Sequence, residues 1–251
     1  MPLLSLTIRY DGPAPHRTSL NIHLEPAHAP ATLISIQPEQ PKSRAKLYYS
    51  PNLNPRLCVA VARYLRADLD YIPAQPFHPD HQEAFRKLNP MTRVPVLVEA
   101  DGATLWETDA IICRLSALAG SDLWRNDDSQ PQMIRWLSWT AYHLMPAGDV
   151  HYFEQVVRPT FSDQPADPKV MSNSMARFRE FAGVLNDWLA TRIWLVGNHI
   201  SYADFRVATL MPFAGAALLP VQDYPHLMRH AAQLDALPHW REPFSGLASR
   251  H

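Results

Sequence analysis

The sequence predicts an α/β domain followed by an all-helical domain, with a β-rich extension ahead of both. Three observations carry this. Between Lys46 and Leu118, short runs of strand composition alternate with runs whose apolar residues recur every three or four positions. Within that region Pro95 stands at the entrance of the apolar run Arg93-Val94-Pro95-Val96-Leu97-Val98. A proline suits a strand's first residue because it cannot donate to a ladder. From Gln130 onward the helical periodicity continues and the strand signals fade.

Residues 1–45 form the extension. Leu4, Leu6, Ile8 and Tyr10 alternate with other residues, as do Leu20, Ile22 and Leu24, and then Ile34 and Ile36, which predicts a small antiparallel meander. Pro38 to Arg44 reads as its linker. The α/β domain is expected over residues 46–120. Its first strand is Lys46-Leu47-Tyr48-Tyr49-Ser50, broken by Pro51-Asn52-Leu53-Asn54-Pro55. A helix follows, with Leu57, Cys58, Val61, Ala62, Tyr64 and Leu65 at helical spacing and Pro55 in its first turn, where a missing N–H costs nothing. Leu69 to Ile72 is a second strand, and Pro79 to Leu88 a more polar helix ended by Asn89-Pro90. After the Val94-Pro95 strand, Asp101-Gly102 signals a hairpin and Ala103 to Trp106 its return strand. Thr108 is the expected cap of a third helix running to Leu118, with Gly120 at its end. Strand, helix, strand, helix, strand, strand, helix is the order of a thioredoxin-like layer.

The helical domain is expected over residues 130–245. Met133, Trp136, Leu137, Thr140 and Leu144 share one helical face, and Phe178, Phe181, Ala182, Leu185 and Leu189 another. His143 and His151 flank an expected bend, and Pro159 to Pro168 is a connection rich in proline and aspartate. In Ile200-Ser201-Tyr202-Ala203-Asp204-Phe205, Ser201 and Asp204 have the spacing of a reciprocal capping box.

Composition bounds the function. A hydrophobic fraction of 47% is ample for a core, and a formal net charge of -1 gives no electrostatic footprint for nucleic acid or an anionic membrane. No apolar run of about 18 residues suggests a membrane span. Two cysteines without a Cys-x-x-Cys pair, and no signal-like start, lead to the expectation of a reducing cytoplasm. Cys58 and Cys113 are expected to be small core residues. The 12 histidines are scattered, and neither His78 with His81 nor His143 with His151 has zinc-site companions, so no metal is expected.

Taken in order and spacing, Lys46 to Pro51, Asn89-Pro90, Val94-Pro95-Val96-Leu97, Leu105 to Ile111 and the Ser201 to Asp204 box resemble the glutathione S-transferase superfamily, bacterial type. The likeness runs from about Lys46 to Trp240. It implies a thioredoxin-like domain that binds glutathione as substrate, a helical domain, an apolar second-substrate site between them, and a homodimer. A cis bond, cheapest before proline at roughly 0.5–1 kcal/mol, would turn the amide groups of Val94 outward for the cysteinyl backbone of glutathione. Glu107 is similar to the family residue that meets the γ-glutamyl ammonium. Thr108 and the start of its helix offer donors for the γ-glutamyl carboxylate. Lys87 and Arg93 are candidates by charge for the glycyl carboxylate.

The departure is at the thiol. Family members make the glutathione thiol more acidic with a Tyr, Ser or Cys after the first strand, and a roughly hundredfold gain in acidity needs about 2.7 kcal/mol. Here Asn54 takes the position where bacterial relatives carry Cys. Ser50-Pro51-Asn52 resembles the Thr-Pro-Asn run of bacterial glutathione-disulfide reductases. Asn54, then Ser50 and Asn52, are the catalytic candidates, and all three equally suit a turn. One of Tyr48 and Tyr49 is expected in the core and the other at the cleft. Trp139, Tyr142 and Tyr152 are expected to line the second-substrate pocket. Two functions follow: a glutathione transferase or glutathione-dependent disulfide reductase acting on an apolar electrophile or a disulfide, or a non-catalytic relative serving as a binding or protein-interaction module.

Overall fold

The computed structural model describes residues 44–247. The expected meander therefore lies outside the described residues, except that Ala45 already opens the first strand. Four strands form one sheet: β1 (Ala45–Tyr49), β2 (Leu69–Pro73), β3 (Val96–Val98) and β4 (Thr104–Trp106), in the order β2-β1-β3-β4. β1 and β2 are parallel, joined by helix α1 (Leu53–Tyr64), while β3 lies antiparallel to both of its neighbours. This is the thioredoxin-like layer, with α2 (Pro79–Leu88) before β3 and α3 (Thr108–Leu118) after β4.

Alternation along β1 separates its two faces. Leu47 and Tyr49 are buried, whereas Tyr48 is half-buried with its ring edge-on to Phe85 of α2 at 5.7 Å. Every residue from Pro55 to Ala62 of α1 is buried, Arg56 included, so this stretch is covered on all sides. Leu47, Leu57, Leu97, Ile111 and Ile112 are each at most 1% exposed, and each contributes about 1.5–3 kcal/mol by burial. The Val94–Pro95 peptide is cis. Asn89 closes α2, its side-chain oxygen accepting from the Met91 N–H and its amide donating to the Arg93 carbonyl, which sets the turn ahead of β3. At the hairpin Gly102 has φ +88°, a value glycine adopts without a Cβ clash.

The remainder is helical: α4 (Gln130–Trp139), α5 (Met145–Tyr152), α6 (Pro168–Leu189), α7 (Tyr202–Val207), α8 (Pro225–Asp235) and α9 (Pro238–Arg241). The expected bend between His143 and His151 takes another form. Thr140–Leu144 and Phe153–Val157 are π-helical turns, each followed within two residues by a proline, Pro146 and Pro159. Proline supplies no N–H to the preceding turn, so the helix widens locally and continues. Arg56, lying over the Trp240 ring, and Arg63 donate to carbonyls of Trp240, Pro243 and Ser245, fastening α1 to the C-terminal segment. No helix among the described residues is long and apolar enough to cross a membrane.

Candidate functional site

The sheet's register gathers the candidate residues at one end. Tyr48 pairs with Val96, and Val96 with Trp106. Continuing each strand two residues past that rung reaches Ser50, Val94 and Thr108. The end of β1, the entrance to β3, the exit from β4 and the N-termini of α1 and α3 therefore meet. The main chain of Val94 makes no intramolecular hydrogen bond among the described residues, so its donor and acceptor are open to a ligand backbone.

The start of α3 departs from the predicted cap. Thr108 is the first helical residue and is buried, and the cap position belongs to Glu107, whose backbone is at φ 72°, ψ 124°. A non-glycine residue there is strained by about 1–3 kcal/mol and persists only where its surroundings impose it. No side chain caps this helix, and among the described residues the N–H groups of Thr108, Asp109 and Ala110 have no partner. The Glu107 side chain is exposed. An uncapped helix start beside a free main-chain segment is suited to an anionic, peptide-like ligand.

The three thiol-site candidates differ in their surroundings. The Ser50 hydroxyl donates to Asn52 Oδ1 at 2.6 Å, so those two satisfy each other within a local turn. Asn54, half-buried in the first turn of α1, accepts at Oδ1 from Arg206 Nη1 of α7 at 2.8 Å. Arginine has no acceptor, so the oxygen of Asn54 must face it, and the amide N–H pair is the end left over. Arg206 is buried, and its Nε lies 3.0 Å from Asp109 Oδ1, an ionic contact without hydrogen-bond alignment. Tyr202 completes the cluster by donating its hydroxyl to the same Asp109 oxygen at 2.6 Å. Burial, reinforced by Asp109, holds the Tyr202 pKa well above the ordinary phenol value, so it remains a donor.

Sequence reasoning misses Arg206, although a signal exists. It is the one basic residue in Tyr202-Ala203-Asp204-Phe205-Arg206-Val207, where Asp204 is already committed to the helix cap, and a buried arginine requires partners.

Other expected residues fall elsewhere. Tyr49 is buried and stacked on Phe244 at 5.4 Å, and burial raises its pKa. Trp139, Tyr142 and Tyr152 do not form one wall. Trp139 packs among Trp136, His143 and Phe181, Tyr142 is 75% exposed, and Tyr152 is buried edge-on to Phe213. Regular helical spacing at about 100° per residue already turns Tyr152 about 140° away from Trp139. A cavity of about 910 Å³ opens instead between α2 and the sheet, with Tyr48, Ser50, Pro51, Ile72, Phe85 and Leu88 in its wall. It touches the β1 end but not Val94, Glu107 or Thr108. Lys87 is exposed on α2, and Arg93 lies over the Phe77 ring. Cys58 is fully buried, and burial, reinforced by Asp109, pushes its thiol pKa far up, leaving it protonated. Cys113, expected in the core, is only half-buried because its side of α3 is incompletely covered. Among the described residues no three metal-ligating side chains come together.

Comparison with known proteins agrees with this architecture. Residues 58–118 match the glutathione S-transferase N-terminal domain family, and residues 150–238 match the glutathione S-transferase C-terminal domain family. The chain therefore belongs to the glutathione S-transferase superfamily. A probable glutathione S-transferase of Oryza sativa subsp. japonica, GSTF2, is 30% identical over 82% of this chain and 92% of its own length. The dichloromethane dehalogenase of Methylorubrum extorquens is also 30% identical, over 50% of this chain and 46% of the dehalogenase. Elongation factor 1-gamma-A of Xenopus laevis reaches the same identity over 49% of this chain and 27% of that protein. Among solved structures, apo glutathione S-transferase III superposes with a TM-score of 0.70 at 23% identity, covering 83% of this chain and 99% of that one. Ure2p in complex with glutathione gives 0.69 at 19% identity, covering 82% and 100%. Both share the fold.

Proposed function

We propose that the chain is a glutathione-dependent transferase working at the end of the sheet where Ser50, Val94 and Thr108 converge. The observation that carries this reading is Glu107, held at φ 72°, ψ 124° directly before an uncapped helix. Strained residues cluster at active sites and ligand clamps, and this one directly precedes a row of N–H groups that no side chain caps. In this reading the Val94 main chain pairs with the cysteinyl unit of glutathione, and Glu107 meets the γ-glutamyl ammonium. Thr108 and the first N–H groups of α3 meet the γ-glutamyl carboxylate.

The thiol is then directed at α1. Asn54 donates its amide N–H to the sulfur, stabilising the thiolate more than the thiol and lowering its pKa. The thiolate attacks an apolar electrophile, forming the carbon–sulfur bond as the leaving group departs with its electron pair. A disulfide substrate would instead yield a mixed disulfide and a released thiolate. The cavity beside Ser50 gives such a substrate room.

The second reading, a binding module without chemistry, draws on the same site. A neutral amide stabilises a thiolate weakly, and the nearby Ser50 hydroxyl is already committed to Asn52. Retention on immobilised glutathione, followed by assays with a chloronitrobenzene and a mixed disulfide, separates the two. The transferase reading expects retention and turnover, with Asn54→Ala raising the pKa of the bound thiol by about 1 unit and cutting neutral-pH turnover about 10-fold. Retention without turnover leaves a glutathione-binding module, and neither retention nor turnover leaves a protein-interaction module that shares only the fold.

A further inference from the structure

We infer that Arg206 is a positioning residue for the thiol site, acting through Asn54, an inference that rests on the proposed function above. A terminal amide has two nearly isosteric ends with opposite chemistry. If its oxygen faced a thiolate, two negative ends would meet; if its nitrogen does, the thiolate gains a donor. Asn54 cannot settle this from its own helix, because it lies in the first turn of α1 and the amide rotates about a soft torsion. Arg206 settles it from a distance of 152 residues along the chain. Its Nη1–H takes the Asn54 oxygen at 2.8 Å, which leaves the amide N–H groups as the remaining face.

The arginine is itself fixed. It is 7% exposed, its Nε lies 3.0 Å from Asp109 Oδ1, and Tyr202 anchors that carboxylate from the same helix. Asp109 sits in the first turn of α3, two residues after Glu107. One buried guanidinium thus links the helix that would orient the thiol to the helix that would hold the γ-glutamyl end. Asp109 balances its charge, so its contribution is direction rather than net field.

The test uses the full-length protein with reduced glutathione and S-methylglutathione, whose sulfur cannot ionise. The bound-thiol pKa is read from the ultraviolet absorbance of the thiolate across pH. Arg206→Met should raise that pKa by about 1 unit, equivalent to a roughly 10-fold loss of thiolate below it, with S-methylglutathione affinity within about 2-fold of wild type. Arg206→Lys keeps a donor for Asn54 and should recover at least half of the lost acidity. Asn54→Ala combined with Arg206→Met should be no worse than Asn54→Ala alone, since both remove one directed N–H. Should Arg206→Met fail to fold, Arg206→Leu replaces it, being neutral and offering Asn54 no donor. A structural role alone would alter unfolding and S-methylglutathione affinity while leaving the bound-thiol pKa in place. A lowered bound-thiol pKa that survives Arg206→Met or Arg206→Leu overturns this inference alone. A wild-type protein that leaves the thiol at its free value sinks the proposed function and this inference with it.

Discussion

The starts of α3 and α7 are built from similar residues to opposite ends. At α7, Ser201 and Asp204 cap each other reciprocally, and both are fully buried. Asp204 accepts from the N–H groups of Leu195 and Ser201 at 2.9 and 2.8 Å, from the Ser201 hydroxyl at 2.9 Å, and from His230 Nε2 at 2.9 Å. Every lone pair has an owner. At α3, Glu107 stands at the cap position with Ala110 three residues on, so no reciprocal cap forms, and neither Glu107 nor Thr108 caps the helix while the backbone at Glu107 is strained. A satisfied helix start holds the fold together; an open, strained one leaves its donors for something else. Chemistry at the residue level is therefore a weak guide to role, and the state of the hydrogen bonds a strong one.

The largest effect is expected from breaking the closed start. Asp204→Ala leaves two buried N–H groups and the His230 donor without partners and should lower the unfolding free energy by about 3–5 kcal/mol, measured by urea denaturation. A loss below about 1 kcal/mol would mean that the four-way arrangement is incidental. The open start should respond in the reverse sense. Glu107→Gly relieves the φ 72° strain and should stabilise the protein by about 1 kcal/mol after the entropic cost of glycine. Glutathione affinity, measured by calorimetry, should fall about 10-fold with the lost carboxylate. Stability and affinity falling together would show that Glu107 is an ordinary structural turn.

The contrast also explains what the sequence made legible. The strand and helix order, the α2 stop at Asn89, the hairpin at Asp101-Gly102 and the Ser201 to Asp204 box are written in residues at most a few positions apart. Local chemistry reveals them. The Val94 and Glu107-Thr108 positions were singled out through the family resemblance, since Glu107-Thr108 read alone suits a plain helix cap. Three things were not legible. The cap position at α3 depends on a backbone angle that no residue type announces, because glutamate is a poor choice for positive φ. The second-substrate wall came from the family resemblance, since helical spacing alone places Trp139 and Tyr152 in packing roles, as their ring contacts with Trp136, Phe181 and Phe213 illustrate. Arg206 meets Asn54 only once α7 has docked against α1, a contact that no local pattern encodes.

An effect well below that of Asp204→Ala is expected from a hydrogen bond between the two helix starts. The Tyr202 hydroxyl, in the first turn of α7, donates to Asp109, in the first turn of α3, at 2.6 Å. Tyr202→Phe preserves the ring and its stacking on Trp124 but removes the donor, while Asp109 keeps its contact with Arg206. The loss at neutral pH should be about 1–1.5 kcal/mol. Its pH dependence distinguishes this bond from general packing. The folded-state pKa of Tyr202 is raised above the unfolded value near 10, so above that pH the unfolded chain releases a proton that the folded chain retains. Wild-type stability must then fall as pH rises past about 10, by as much as about 1.4 kcal/mol per pH unit for this group. The phenylalanine variant lacks the group and escapes its share of that fall. The two unfolding curves, separated at pH 7, should converge and then cross in alkali. Curves that stay parallel would mean that the hydroxyl is solvated in solution and that α3 and α7 are joined through Arg206 alone.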